Sequence, residues 1–227
     1  MQANGQYGMR VSAEADVTFD IQFDRNTVIE NGHTRSGGFH PNDNTGTTNF
    51  AGGVGISAFQ QIDVSLSMTD TKIDRNIGDG LSIDAFRFFD SLIANVTIVN
   101  STLNNNTLTG FRNHGAAFGK FDFRGSEFNE NGDDGFRSVS IEDKTDVYNR
   151  RVGGMDIDVT ALDNEFNLNG GDGVQIGQGV SADFGDGSIA NANYFLGNTN
   201  DGLKITQHNS PYMDDIGRRR QIQADRN

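Results

Sequence analysis

The chain has 227 residues, 34% of them hydrophobic, with 29 glycines, two prolines and no cysteine. That is enough for one sizeable core, and it excludes a collagen-like or Pro-rich chain, disulfides and thiolate metal sites. A net charge of −13 speaks against nucleic acid or an anionic membrane surface as a partner.

No apolar run approaches the length of a transmembrane segment, and the opening residues lack the basic-then-apolar pattern of a signal peptide. The 25 Asp against 6 Glu, together with 25 Asn, favour turns over helices. Such a composition predicts many short strands joined by many turns.

Self-similarity organises the chain. In sequence order, six segments share one frame: RNTVIENG from Arg25, DTKIDRNIGDGLSI from Asp70, NSTLNNNTLTGF from Asn100, GSEFNENGDDGF from Gly125, DNEFNLNGGDGVQI from Asp163 and ANYFLGNTNDGLKI from Ala192. An apolar column runs Val28, Ile73, Leu103, Phe128, Phe166, Phe195, and three residues later stands Asn31, Asn76, Asn106, Asn131, Asn169, Asn198. A glycine column follows at Gly8, Gly38, Gly80, Gly110, Gly135, Gly173 and Gly202, each succeeded by an apolar residue. Upstream, alternating apolar positions predict a further strand. Its columns are Ile21, Leu66, Val96, Phe121, Val159, Ser188 and Phe23, Met68, Ile98, Phe123, Ala161, Ala190.

Short strands recurring in this way predict stacked coils, because one coil cannot bury its inner face alone. Asn suits this frame, since it tolerates left-handed backbone angles and its amide can pair with the next Asn in the stack. Two intervals are long. HPNDNTGTTNFAGGVG, about 40–55, and IEDKTDVYNRRVGG, 141–154, are expected to be loops projecting from the stack. The opening NGQYGMRV matches the end of a coil, and the closing IQADRN matches IQFDRN at Ile21. This suggests a segment of a longer stack whose open strand edges would favour end-to-end self-association.

On these columns the sequence resembles the right-handed parallel β-helix repeat family, which includes pectate lyases and polygalacturonases. The resemblance implies an all-β fold: one right-handed parallel β-helix, a single-stranded solenoid of about six to seven coils spanning 1–227. It also implies an extracellular or cell-surface location.

Candidate chemistry lies on the strand after each glycine. The residues before the glycines are Tyr7, Gly37, Asp79, Thr109, Asp134, Asp172 and Asp201. Two residues after them come Arg10, His40, Ser82, Arg112, Arg137, Gln175 and Lys204. At the ~4.8 Å spacing of neighbouring strands these make two parallel ladders on one face. Asp134, Asp172, Asp201, Arg137 and Lys204 form the candidate catalytic set, because carboxylates beside bases suit glycoside cleavage or β-elimination. Arg112, His114 and Gln175 form the candidate binding set. Asn200-Asp201-Gly202 and Gly171-Asp172-Gly173 look like the NTDG and GDD motifs of polygalacturonases, whose aspartates act as acid and base. The GHG and RIK elements of that family are not present: His114 stands in NHG, and LKI at Leu203 is a partial echo. Asp-Gly also serves a tight turn for conformational reasons alone.

The expected function is therefore a repeat module of a secreted or surface-displayed protein, acting in adhesion or glycan interaction. The alternative is a polysaccharide lyase, hydrolase or epimerase, and whether the protein is an enzyme stays open. No cofactor is required. Ca²⁺ is an optional ligand, for which the turns Asn129 to Gly135 and Asn169 to Gly173 would offer oxygens.

Overall fold

A computed structural model describes residues 7–13, 17–32, 52–58, 62–85, 92–114, 116–139, 156–177, 180–188 and 191–206. The strands are β1 (Tyr7–Ala13), β2 (Val17–Asp24), β3 (Thr27–Ile29), β4 (Gly52–Ala58), β5 (Ile62–Thr69), β6 (Lys72–Asp74), β7 (Asp79–Ala85), β8 (Leu92–Val99), β9 (Phe111–His114), β10 (Ala116–Arg124), β11 (Phe136–Ser138), β12 (Asp156–Leu162), β13 (Val174–Ile176), β14 (Val180–Phe184) and β15 (Leu203–Ile205). The architecture is all-β, and every strand pairing is parallel.

One sheet runs β1-β4-β7-β9-β11-β13-β15, a second runs β14-β12-β10-β8-β5-β2, and β3 pairs β6. Single bridges continue that short pair through Lys72, Thr102, Glu127, Glu165 and Tyr194. Each strand thus pairs with its counterpart one repeat away. Among the described residues no helix is long and apolar enough to cross a membrane.

The alternation in the sequence sets the core. Along β5 and β8 every second residue is buried, from Ile62 to Met68 and from Leu92 to Ile98. The apolar column stacks through the interior, with Phe128, Phe166 and Phe195 parallel at centroid distances of 5.0 and 5.3 Å. Phe111, Phe121, Phe123 and Phe136 fill the space between the two large sheets with tilted and edge-on contacts.

The Asn column forms a buried hydrogen-bond ladder. Asn76 Oδ1 accepts from both the backbone N–H and Nδ2 of Asn31, at 3.0 Å each. The same pair of hydrogen bonds recurs from Asn76 to Asn106, Asn106 to Asn131, Asn131 to Asn169 and Asn169 to Asn198. In several repeats Nδ2 also donates to a carbonyl of the apolar column one repeat earlier, as from Asn131 to Leu103 O at 3.0 Å. The amide is thereby satisfied on both sides, which permits its burial. Replacing Asn169 with Ala orphans the Asn131 donors, and a loss of about 1–3 kcal/mol is expected in a denaturant melt.

The left-handed angles fall elsewhere than expected. The residues immediately before the column, Glu30, Arg75, Asn105, Glu130 and Leu168, carry φ of 55–58°. The Asn residues themselves do not, because their side chains must lie between repeats while the preceding residue makes the turn. A second internal ladder escapes the column reading: the backbone N–H groups of Thr71, Ser101, Ser126 and Asn164 donate to the side chains of Ser101, Ser126, Asn164 and Asn193 respectively.

Two columns need correction. In the second repeat Gly53, not Gly38, takes the glycine position, since Gly52–Ala58 pairs in register with both β1 and β7. Gly55 therefore replaces His40, and residues 52–55 of the expected 40–55 loop are strand. Residues 40–51 and the 141–154 segment lie outside the described residues. In the last repeat Ala182 and Phe184 occupy the columns assigned to Ser188 and Ala190. A turn follows at Gly185 and Gly187, both at positive φ, and Asp186 Oδ1 there accepts the Ser188 N–H at 2.9 Å; it separates the strand from Phe195.

Candidate functional site

The outer face of the seven-stranded sheet carries the candidate residues. The glycine before each strand is required by close approach. A Cβ at Gly135 would stand 2.6 Å from Gly173 O and 2.9 Å from Asn169 Nδ2. The Asp-Gly turn therefore pins the next repeat tightly against the aspartate that precedes the glycine.

This fixes one oxygen each of Asp79, Asp134 and Asp172. Asp79 Oδ1 accepts the Thr109 N–H at 3.1 Å, Asp134 Oδ1 that of Asp172 at 2.7 Å, and Asp172 Oδ1 that of Asp201 at 3.0 Å. The other oxygen faces the basic row. Arg112 Nε lies 2.8 Å from Asp79 Oδ2, Lys204 Nζ 3.1 Å from Asp172 Oδ2, and Arg137 Nη1 3.8 Å from Asp134 Oδ2. Strand register places Arg10, Gly55, Ser82, Arg112, Arg137, Gln175 and Lys204 in one row.

The two ladders thus stand side by side, but they are locked together. Asp79, Asp134 and Asp172 are buried, while Asp201 is exposed. The Asp134 and Asp172 carboxylates serve as acceptors for the following repeat as well as partners for cations. Gln175 sits between Arg137 and Lys204, and His114 ends β9 opposite Asp84 in register.

Arg112 anchors a cluster that the candidate set only touches. It bridges Asp79 and Asp84, with Nη2 3.3 Å from Asp84 Oδ1. Tyr7 reaches across β4 toward the same charges. A Cβ on Gly55 would run into the Tyr7 ring, so this glycine is the seat that lets the ring lie on the sheet. Burial pushes the Tyr7 phenol up, and the neighbouring Asp84 charge adds to the effect. The Arg10 guanidinium stands 5.9 Å from the Tyr7 ring centroid. Asp84 and Tyr7 are absent from the candidate set. Asp84 carries a signal in the alternation of β7, two residues beyond Ser82 on the same face. Tyr7 has only its place at the head of the aspartate row.

Two of the carboxyls are tuned. Burial pushes Asp79 up to about 6 against the opposing Arg112 charge. Burial likewise pushes Asp134 up to about 6, opposed by the Asp172 N–H and aided by the Asp133 charge. Such groups can hold a proton near neutrality, as a general acid must. They are also held by the backbone, which limits their reach toward a substrate. Among the described residues no group of three or more His, Cys, Asp or Glu is placed to hold a metal ion. In the Asn129 to Gly135 and Asn169 to Gly173 turns, the Oδ1 atoms of Asn131, Asn169, Asp134 and Asp172 accept within the ladders. No protein-family model, curated protein or solved structure matches this sequence.

Proposed function

We propose that the protein is a right-handed parallel β-helix of the pectate lyase and polygalacturonase type of build. Its role is that of a binding module of a secreted or surface-displayed protein, with glycan as the ligand. The solenoid reading is supported by uniformly parallel pairing between equivalent strands, and its hand by the strong right-handed preference of parallel crossovers. The binding reading rests on the double engagement of the buried aspartates, with one oxygen on the next repeat's backbone and the other facing a cation. Carboxylates held in this way build a rigid, regularly spaced polar face. Arg137, Gln175 and Lys204 remain partly exposed on it for hydrogen bonding to a repeating array of hydroxyls.

A glycan array carrying neutral and acidic polysaccharides tests this reading. The wild-type protein is expected to bind a polysaccharide, and the Arg137→Ala plus Lys204→Ala double variant to bind it at least about tenfold more weakly. An array with no binder, or binding indifferent to that variant, rejects the site. The raised Asp79 and Asp134 carboxyls favour a second reading, a lyase or hydrolase. Release of unsaturated products or new reducing ends from a bound polysaccharide would establish it in place of the first.

A further inference from the structure

The short third sheet carries a face of its own, on a different sheet from the aspartate and arginine rows. Its row runs Lys72, Thr102, Glu127, Glu165, Tyr194, one residue per repeat. Two residues further on, Asn104, Asn129 and Asn167 form an outer ladder. Their Oδ1 atoms accept the backbone N–H groups of Asn129, Asn167 and Leu196 at 2.7, 2.7 and 2.8 Å. Their Nδ2 atoms orient the carboxylates beside them. Asn104 donates to Glu127 Oε2 at 2.8 Å, and Asn129 and Asn167 both donate to Glu165 Oε2, at 3.1 and 3.3 Å. Glu165 is thus held by one oxygen, which leaves Oε1 to a ligand.

In the last described repeat this face turns apolar. Tyr194 takes the place of the carboxylate and Leu196 that of the ladder asparagine, and they are 46% and 63% exposed. Leu168 is 58% exposed. A Cβ at Gly197 would stand 2.6 Å from Leu168 Cδ2, so this glycine lets the leucine side chain lie across the next repeat. Single exposed apolar residues are ordinary. Here an aromatic ring and two leucines end a polar row, one strand spacing of ~4.8 Å from an oriented carboxylate.

We propose that Tyr194, Leu196 and Glu165 form a subsite for a neutral sugar residue. A pyranose ring has an apolar face of C–H groups and a rim of hydroxyls. The C–H face covers the Tyr194 ring and Leu196, while neighbouring hydroxyls donate to Glu165 Oε1 in hydrogen bonds strengthened by its charge. The remaining Nδ2 proton of Asn167 is a donor for a sugar oxygen. Glu127, one repeat back, adds a second negative charge, so a uronate is repelled. The subsite stands apart from the face that carries Arg137 and Lys204 and does not rest on it.

The test is native affinity electrophoresis of the full chain in gels containing xylan, galactomannan or mixed-linkage β-glucan, with polygalacturonate as the acidic comparison. At least one neutral gel is expected to retard the protein. Tyr194→Ala and Glu165→Gln should each weaken that retardation at least about tenfold in apparent Kd, and Tyr194→Phe should keep most of it. Lys72→Ala, at the other end of the row, should change nothing. Tyr194→Phe and Glu165→Gln touch only exposed groups, so they decide the question where Tyr194→Ala disturbs folding. No retardation in any of the three neutral gels overturns the proposal, as does retardation that survives Glu165→Gln and Tyr194→Ala. Retardation lost only in the Arg137→Ala plus Lys204→Ala variant assigns the sugar to the seven-stranded sheet. Sugar-free self-association abolished by Tyr194→Ala assigns the patch to a second copy of the chain. Either result also overturns the subsite.

Discussion

Phe166→Ala is expected to cost about 3–5 kcal/mol in denaturant unfolding, the range for emptying a buried aromatic site. The side chain is fully buried and lies between two rings, parallel to each within 11°. Its removal deletes two aromatic contacts, worth about 0.5–1.5 kcal/mol each, as well as the buried area. Collapse around the gap is restricted, because the backbone on either side is fixed. Phe166 N–H donates to Tyr194 O at 2.8 Å, and Phe128 N–H donates to Glu165 O at 2.7 Å. Phe166→Leu retains much of the volume and should cost clearly less. Equal losses for the two variants would show that the parallel stack adds nothing beyond volume. A loss below about 1 kcal/mol for Ala would contradict a close-packed interior at this repeat.

The same physics explains what the sequence reveals and what it hides. Ile21, Leu66, Val96, Phe121 and Val159 stand in register because period-two burial leaves only one face for an apolar residue. The glycine column fails in the second repeat because Gly37-Gly38-Phe39 and Gly52-Gly53-Val54 read alike. Only pairing with β1 and β7 selects the second. Ser188 is misplaced because counting back a constant distance from Phe195 ignores the turn after Phe184.

On the outer face, alternation correctly sets Asp134, Asp172, Arg137 and Lys204 side by side. It cannot show that the aspartates accept backbone amides one repeat on, since that depends on the close approach allowed by the Asp-Gly turns. The Arg112 cluster is hidden for a related reason. Tyr7 meets it only because Gly55 leaves the intervening strand bare, a relation across three repeats that no local pattern records.

Acidification from pH 8 to about 5 is expected to stabilise the protein, and Asp79 and Asp134 to carry much of the gain. Both carboxyls titrate near 6 when folded, against an ordinary aspartate value of 3.8. Above pH 6 the folded and unfolded states have both shed these protons, and the buried charges are at their most costly. Between about 6 and 4 the folded state holds protons that the unfolded state has lost, so stability rises as pH falls through the folded value and levels off near the unfolded one. Over the interval from pH 8 to 5 the contribution is on the order of 1 kcal/mol per group. Asp134→Asn isolates one share. Its Oδ1 can still accept the Asp172 N–H, while the group facing Arg137 and Asp133 loses its charge. Unfolding free energies at pH 5 and pH 8 should therefore differ less in the variant than in the wild type, and less again when Asp79→Asn is added. An Asp134→Asn profile parallel to that of the wild type would show that this carboxyl is already ionised at pH 5, and that Arg137 outweighs its burial.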